Sequence, residues 1–228
     1  MAEAVDKAYR AIREGIMRGT YSQGSHITAQ DLAASTGISR TPVREAMRRL
    51  HSEGMIQIIP NRGAFVARWD EDEIAQIYDL RILLESFAAE LAARRIDEGQ
   101  LATLQSLAEE MQELVRLKNA SAEEIADVND RFHKTVLRAC GNPRLQDMLA
   151  TIVEMPLVLS TFRQYNLEEL RRSANQHSEL VAALEVHDPE WARSVMAAHI
   201  MSARHTLLRS LNERDEAASG ADRVAADV

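Results

Sequence analysis

The chain has 228 residues, of which 46% are hydrophobic and 27% charged, a composition that fits two modest globular domains, each with its own core. No apolar run is long enough for a membrane-spanning helix, and the acidic N-terminus lacks the basic start and apolar stretch of a signal peptide. A single cysteine, Cys140, excludes an internal disulfide framework. We therefore expect a cytoplasmic protein with no membrane partner.

The net charge of −8 is unevenly distributed along the chain. Residues 1–68 contain ten Lys and Arg against six Asp and Glu, whereas residues 69–228 contain seventeen against twenty-nine. A basic head on an acidic body is expected where only the head meets phosphates. Such an asymmetry also arises by chance, so the charge alone does not decide for DNA binding.

The first part of the chain combines three helical patterns with one hairpin pattern. The predicted helices are 3–18, 28–35 and 42–51, and the predicted strands 55–59 and 64–68 flank a turn at 60–63. Thr28 followed by Asp31 resembles a capping box at the start of the second helix. Three helices followed by a β-hairpin are the layout of a winged helix-turn-helix, which we assign to residues 1–69 as a DNA-binding domain.

The helix at 42–51 has the two faces expected of a recognition helix. One face is apolar and is predicted to be buried: Val43, Ala46, Met47 and Leu50. Pro42 suits the first helical position, with Thr41 as its cap. The residues predicted to reach base edges or phosphates are Arg40, Thr41, Arg44 and Arg48, with Arg62 at the wing tip. The alternative is an amphipathic helix with a solvated basic face.

From Asp70 onward every pattern is helical. The predicted helices are 71–95, 99–118, 121–139, 142–165, 167–187 and 189–212. They form a six-helix antiparallel bundle, residues 70–212, so the expected fold class is mostly α. Pro156 is expected to kink or divide the fourth helix, and residues 213–228 are expected to form a disordered tail.

Three histidines lie on different predicted helices of this bundle. His133 follows Asn129 by four residues, so both share one helix face, and His177 and His199 lie on the fifth and sixth helices. Neutral imidazoles on facing helices are a usual way to bind a transition metal. A histidine on a helix is more often a core or surface residue, so spacing alone leaves both interpretations open.

The segments SRTPVREAMRRLHSEGMI and PNRGAFV resemble the winged helix-turn-helix of GntR-type bacterial regulators, and the resemblance extends over residues 4–68. It implies DNA contacts from Arg40, Thr41, Arg44 and Gly63, with Ser39 close by. The chain departs from the pattern at Gln30, where many relatives have arginine.

The segments Asn129-Asp-Arg-Phe-His133, Gly141-Asn142-Pro143, Gln176-His177 and Ala198-His199-Ile200 resemble the helical FCD effector domain of the FadR subgroup. The six-helix count favours its shorter, VanR-like branch. In many members Asp, or sometimes Asn, and three histidines hold a divalent metal. The resemblance therefore implies a Zn or Ni site formed by Asn129, His133, His177 and His199. Asn129 is a neutral and weaker ligand than a carboxylate.

Arg81 matches an arginine that commonly faces the effector pocket in relatives, where a bound carboxylate often completes the metal's coordination. A guanidinium beside a metal suits an organic acid. The alternative is an ion pair with Glu85 one turn later.

The preferred hypothesis is a homodimeric, ligand-responsive repressor, not an enzyme, that binds a pseudo-palindromic double-stranded DNA operator. The alternatives are a metal-dependent enzyme that uses the histidine cluster and a regulator without a small-molecule effector.

Overall fold

The computed structural model describes residues 1–17, 19–60, 62–117, 120–153 and 155–226. Within these ranges the chain forms two compact units, one Met1–Trp69 and the other containing Asp70–Val153 and the residues from Leu157 onward. The helix ends expected at 18 and 118, and Asn61 in the expected turn, lie outside the described residues.

The first unit contains three helices and a small sheet: α1 (Ala2–Met17), β1 (His26–Ile27), α2 (Ala29–Thr36), α3 (Arg40–Ser52), β2 (Ile56–Ile59) and β3 (Gly63–Val66). The sheet is antiparallel in the order β1-β3-β2. The hairpin β2–β3 was predicted, but β1 was not, because two residues are too few to show an alternating pattern.

Local capping determines where α2 and α3 begin. The Thr28 hydroxyl accepts from the Asp31 amide at 3.1 Å, as the sequence predicts, and α2 ends at Gly37 with a left-handed φ of 69°. The prediction that Thr41 caps α3 is wrong, because the N-cap residue is Ser39. Pro42 lies within the first turn, where amides need no intrahelical acceptor, so the helix can begin before it.

The predicted apolar face of α3 is confirmed. Its members Val43, Ala46, Met47 and Leu50 are all buried. They share the core of the unit with Ile12 of α1 and Leu32 of α2. Burial of one such side chain contributes about 1.5–3 kcal/mol, so the core holds α3 in place with its polar face outward.

The second unit consists of seven helices within the described residues: α4 (Glu71–Arg95), α5 (Glu98–Leu117), α6 (Ala122–Ala139), α7 (Pro143–Ile152), α8 (Met155–Gln164), α9 (Leu167–Glu185) and α10 (Pro189–Ala226). Capping boxes at Asp70, Ser121 and Asn166 start α4, α6 and α9. Helix α4 packs against α10, and α5 packs against α6 and α9.

Two helix boundaries in this unit differ from those that the sequence predicts. The helix expected over 142–165 is divided into α7 and α8, which raises the count from six to seven within the described residues. Pro156 is the second residue of α8, where its missing amide hydrogen is tolerated. Helix α10 extends to Ala226, beyond the end expected at 212, and no proline interrupts it after its first residue. The disordered tail expected over 213–228 stays a prediction. Residues 227 and 228 lie outside the described part.

Over the described ranges, no single helix is both long enough and apolar enough to cross a membrane; the bent pair Pro143–Ile152 and Leu157–Gln164 meets these criteria only when both helices are counted together.

Candidate functional site

The exposed face of α3 carries the residues expected to contact DNA. Ser39, Arg40, Thr41, Arg44 and Arg48 are all exposed. In the described part of the chain, Arg40 and Arg44 have no ion-pair partner. Arg48 pairs with Glu45 at 2.7 Å on the surface, and such exposed pairs contribute little to stability. These arginines are therefore available to an anionic partner.

Arg49 lies on the same helix but has a structural role. Its guanidinium contacts Asp6 at 3.2 Å and Glu53 at 3.3 Å, and its central carbon lies 3.9 Å from the centre of the Tyr9 ring. The contacts to Asp6 and Tyr9 attach α3 to α1. Arg49 is consequently a poor candidate for reading DNA.

The wing tip is formed by Arg62 and Gly63, both exposed. Gly63 has a φ of 100°, and a Cβ at this position would lie 2.5 Å from Nε2 of His26. The His26 ring packs on Phe65 with 5.0 Å between ring centres. Strand β1, which the sequence did not reveal, therefore supports the wing through His26, and glycine is required opposite it. Gln30, the departure from the family pattern, is exposed on α2.

In the second unit, the three predicted histidines come together. His133 on α6, His177 on α9 and His199 on α10 each offer a ring nitrogen within 4.8 Å of the others. The Nε2 atoms of His133 and His199 are 3.2 Å apart. His177 is buried, and its ring centre lies 4.6 Å from that of His199 and 5.7 Å from that of His133.

The outer nitrogen of each ring is bound to an oxygen outside the cluster. The Nδ1 of His133 lies 2.6 Å from Oε2 of Glu85. The Nδ1 atoms of His177 and His199 lie 2.7 Å from the Ser173 carbonyl and 3.3 Å from the Gln176 amide oxygen. These oxygens are acceptors, so they assign the proton to Nδ1 and leave each Nε2 lone pair facing the cluster. With both protons on Nδ1, the Nε2 atoms of His133 and His199 are two acceptors 3.2 Å apart, an arrangement that a proton or a metal cation between them would stabilise.

Two buried atoms on the helices that carry these histidines lack a partner in the described part of the chain. They are Nε2 of His177 and Oδ1 of Asn129, which is one turn before His133 on α6. A buried acceptor without a partner costs about 1–3 kcal/mol. Two nitrogens on one tetrahedral Zn²⁺ with Zn–N bonds of 2.0–2.1 Å would be about 3.3 Å apart, close to the observed separation. The donor set therefore fits a divalent transition metal.

The environment of the cluster favours neutral imidazole rings, the form that binds a metal cation. Burial, followed by the neighbouring His133, lowers the pKa of His177 to about 3, and burial also lowers the pKa of His199 well below its usual value. Both rings are thus neutral and able to act as ligands. The surrounding space, lined by Phe132, Leu180, Val195 and Met196, is too narrow for a water-sized sphere.

Arg81 and Glu85 form the ion pair that the sequence left open as an alternative. Their side chains are 5% and 7% exposed, and Arg81 Nε lies 2.8 Å from Glu85 Oε1. Burial would raise the pKa of Glu85, but the charge of Arg81 and the hydrogen bond from His133 outweigh this effect and lower it to about 2. Glu85 is therefore a carboxylate at neutral pH.

The remaining donors of Arg81 are uncommitted. Within the described residues, neither Nη atom has a hydrogen-bond partner. The guanidinium carbon lies 4.8 Å from the centre of the Tyr78 ring, whose hydroxyl bonds the Thr161 hydroxyl at 2.8 Å. The ion pair with Glu85 uses Nε and so leaves the two-nitrogen edge for another acceptor.

A winged helix-turn-helix with available arginines, together with a helical unit that contains a buried three-histidine cluster, defines a DNA-binding regulator with a sensory domain. The comparisons with known proteins agree. Residues 4–66 match the bacterial regulatory proteins of the gntR family, and residues 76–202 match the FCD domain. The chain belongs to the GntR family of transcriptional regulators and has an FCD-type helical domain.

Relatives extend over most of the chain. The gluconate operon transcriptional repressor of Bacillus subtilis is 30% identical over 182 residues, 78% of this chain and 74% of that protein. The transcriptional regulator YdhC of the same organism is 26% identical over 211 residues, 91% and 92% of the two chains. The solved structure of Escherichia coli McbR superposes with a TM-score of 0.74 at 25% identity, covering 92% of this chain and 100% of that one.

Proposed function

We propose that this regulator is a repressor whose helical domain binds a small carboxylate next to a divalent metal ion, and that binding of the acid changes its affinity for an operator. The observation that carries the proposal is the convergence of one ring nitrogen each from His133, His177 and His199. Asn129, one turn before His133 on α6, adds a buried amide oxygen that has no partner among the described residues. The uncommitted edge of Arg81 adds a receptor for an anion.

The metal would be held by His133, His177, His199 and Asn129. Imidazole nitrogen favours Zn²⁺ or Ni²⁺ among the common divalent ions. When bound, the ion supplies a Lewis-acidic centre that can accept a carboxylate oxygen. Asn129 contributes no charge, so we expect weaker metal binding than with aspartate at this position.

The acid would be bound by Arg81 through its two Nη groups, because a guanidinium edge matches a carboxylate in a bidentate geometry. One relative is a repressor of a gluconate operon, and gluconate is a small carboxylate. Gluconate is therefore the first compound to test, within a panel of organic acids.

DNA would be contacted by the N-terminal part of α3 and by the wing, with Arg40 and Arg44 as the principal charged contacts. The remaining proposed contacts are Ser39, Thr41, Arg48, Arg62 and Gly63. All of these residues, on α3, at its N-cap and at the wing tip, are exposed, which supports contact with base edges and phosphates. As a DNA-binding regulator of a bacterial family, the protein would act in the cytoplasm.

We further propose a homodimer, since a two-fold operator is matched by a two-fold protein. Helix α4 carries Leu80, Leu83 and Phe87 on one face, and these side chains are 46%, 59% and 40% exposed. An apolar stripe of this kind is unfavourable in water, and a second copy of the chain would cover it.

A metalloenzyme is the less favoured alternative. Glu85, the carboxylate in contact with the cluster, is bound by both Arg81 and His133 and so is not available as a general base. Turnover of a small acid by metal-loaded protein, lost in His177→Ala, would support this alternative instead.

The metal and acid are tested together by elemental analysis and thermal denaturation of purified protein. We expect bound Zn or Ni, a rise in Tm with gluconate or another panel acid, and loss of both in His199→Ala. The matched control is His205→Ala, an exposed histidine on the same helix, which should behave as wild type. Absence of metal together with absence of any acid-induced shift would favour a regulator without a small-molecule effector.

The DNA surface is tested with an operator selected by the wild-type protein from a random duplex pool. Loss of one base or phosphate contact costs about 1–3 kcal/mol, so Arg44→Ala should weaken binding at least about fivefold. Arg10→Ala removes an exposed charge from α1 of the same unit and should have little effect. Wild-type affinity of the Arg44 variant would remove α3 as the recognition helix.

A further inference from the structure

The Glu85 carboxylate contacts side chains on two different helices, so it does more than form an ion pair within α4. One carboxylate oxygen, Oε1, accepts from Arg81 four residues earlier on α4 at 2.8 Å. The other, Oε2, lies 2.6 Å from Nδ1 of His133, which belongs to α6. Glu85 is 6% exposed, so both bonds lie in a medium of low dielectric constant, where they are strong. One carboxylate thus joins the candidate acid-binding residue to a candidate metal ligand.

We infer that Glu85 is a positioning residue for His133 and links anion binding at Arg81 to the strength of the metal site. The inference rests on the proposed metal function of the histidine cluster. A carboxylate that accepts the Nδ1 hydrogen holds the imidazole ring in place and increases the electron density on Nε2. Removal of such a partner typically weakens metal binding about 10–100-fold.

Among the three histidines, His133 alone has a charged acceptor within the described residues. His177 donates to a neutral backbone carbonyl at 2.7 Å, and His199 to a neutral side-chain amide at 3.3 Å. His133 also has the shortest of these bonds. It is therefore the ligand whose basicity depends most on a single neighbouring side chain.

The Glu85 carboxylate also connects Arg81 electrostatically to the candidate metal ligand His133. Arg81 attracts negative charge toward Oε1, and an anion on its Nη groups would compete for this attraction. More negative charge would then remain at Oε2, and the Nε2 atom of His133 would become a better donor. By linkage, metal and acid would each strengthen the binding of the other.

The test compares Glu85→Gln with Glu169→Gln, using Zn²⁺ alone as the probe. Glu169 is a matched control because it is buried, accepts from Arg209 at 2.8 Å and Thr206 at 2.9 Å, and belongs to the same helical unit. Within the described residues, the hydrogen-bond partners of its side chain do not include any histidine of the cluster. The Zn²⁺ affinity of each full-length protein is measured by competition with a chromophoric chelator.

We expect Glu85→Gln to lose about 10–100-fold in Zn²⁺ affinity, and Glu169→Gln to stay within about twofold of wild type. Wild-type affinity of Glu85→Gln, or an equal loss in both variants, would overturn the inference. Lack of Zn²⁺ binding by the wild-type protein would overturn the proposed metal function and the inference with it. The two failures are therefore distinguishable.

Glu85→Gln leaves Arg81 buried without its counter-charge, which can prevent folding. The double variant Arg81→Gln/Glu85→Gln removes both charges and restores the balance. If Glu85 acts on His133, Zn²⁺ affinity remains low in the folded double variant. If Glu85 only neutralises Arg81, the double variant recovers wild-type affinity, and the inference is wrong.

Discussion

Replacement of Asn129 by Asp should make stability depend more strongly on metal. The Oδ1 atom of Asn129 is buried and has no hydrogen-bond partner in the described part of the chain. A carboxylate placed there without a metal would be an unpaired buried charge, which costs roughly 3–5 kcal/mol. At about 2–4 °C per kcal/mol for a chain of this size, we expect Tm to fall by roughly 6–20 °C in chelator.

With Zn²⁺ present, Asn129→Asp should raise Tm instead of lowering it, because the carboxylate becomes a charged ligand. Each tenfold gain in affinity adds about 1.4 kcal/mol of stability at saturating metal. The difference in Tm between Zn²⁺ and chelator, measured by differential scanning calorimetry, should therefore be larger for Asn129→Asp than for wild type. Asn175→Asp adds the same charge at an exposed position of α9 and should leave this difference unchanged.

A metal-dependent shift for Asn129→Asp no larger than that of wild type would refute this reasoning. Asn129 would then be a buried residue outside the coordination sphere. The same result would leave the three histidines as candidate ligands, since their convergence does not depend on Asn129.

Three further predictions concern the protonation of His177, the wing and the exposed apolar face of α4. In chelator, the free energy of unfolding should fall as pH decreases from 7.5 to 5, because His177 has a pKa of about 3 when folded and about 6.5 when unfolded. Urea denaturation should show a loss of about 2 kcal/mol from this histidine alone, and the His177→Gln variant should lack this part of the pH dependence. Gly63→Ala should destabilise the wing by about 1–3 kcal/mol and weaken operator binding, because φ is 100° and the new Cβ meets His26; a gel-shift affinity equal to wild type would contradict this. Leu83→Glu should shift the protein toward a monomer in light scattering, because it places a charge on the exposed apolar face of α4. Leu117→Glu, at a 49% exposed position on α5, should not change the oligomeric state. An unchanged oligomer in Leu83→Glu would exclude the apolar face of α4 as the interface.

The large elements were predictable because each carries its own local signal. The spacing of Val43, Ala46, Met47 and Leu50 is sufficient to orient α3, and the breaks between helices fall at residues with strong turn preferences. Strand β1 escaped prediction because its partner β3 lies almost forty residues later along the chain. The start of α3 was placed two residues late because proline is tolerated throughout the first turn, not only at its first position.

The candidate metal ligands were predictable only in part. Helical spacing relates Asn129 to His133, but His177 and His199 lie on other helices, and no local pattern determines that their rings meet. The resemblance to the FCD domain supplied that link. The contact between Glu85 and His133 was missed because it joins residues 48 positions apart, and the sequence suggested only the local pair with Arg81.

The arrangement of the cluster also bears on which of the two proposed ligands acts as the signal. Its donor atoms come from α6, α9 and α10. Among the described residues, two of these atoms are buried without a partner, and two others face each other at 3.2 Å. Each of these features costs free energy that a bound cation would remove. Metal binding would therefore stabilise the packing of three helices and favour a permanently loaded domain. Arg81, whose Nη groups form no hydrogen bond with the described residues, is then the point at which a varying acid concentration can act.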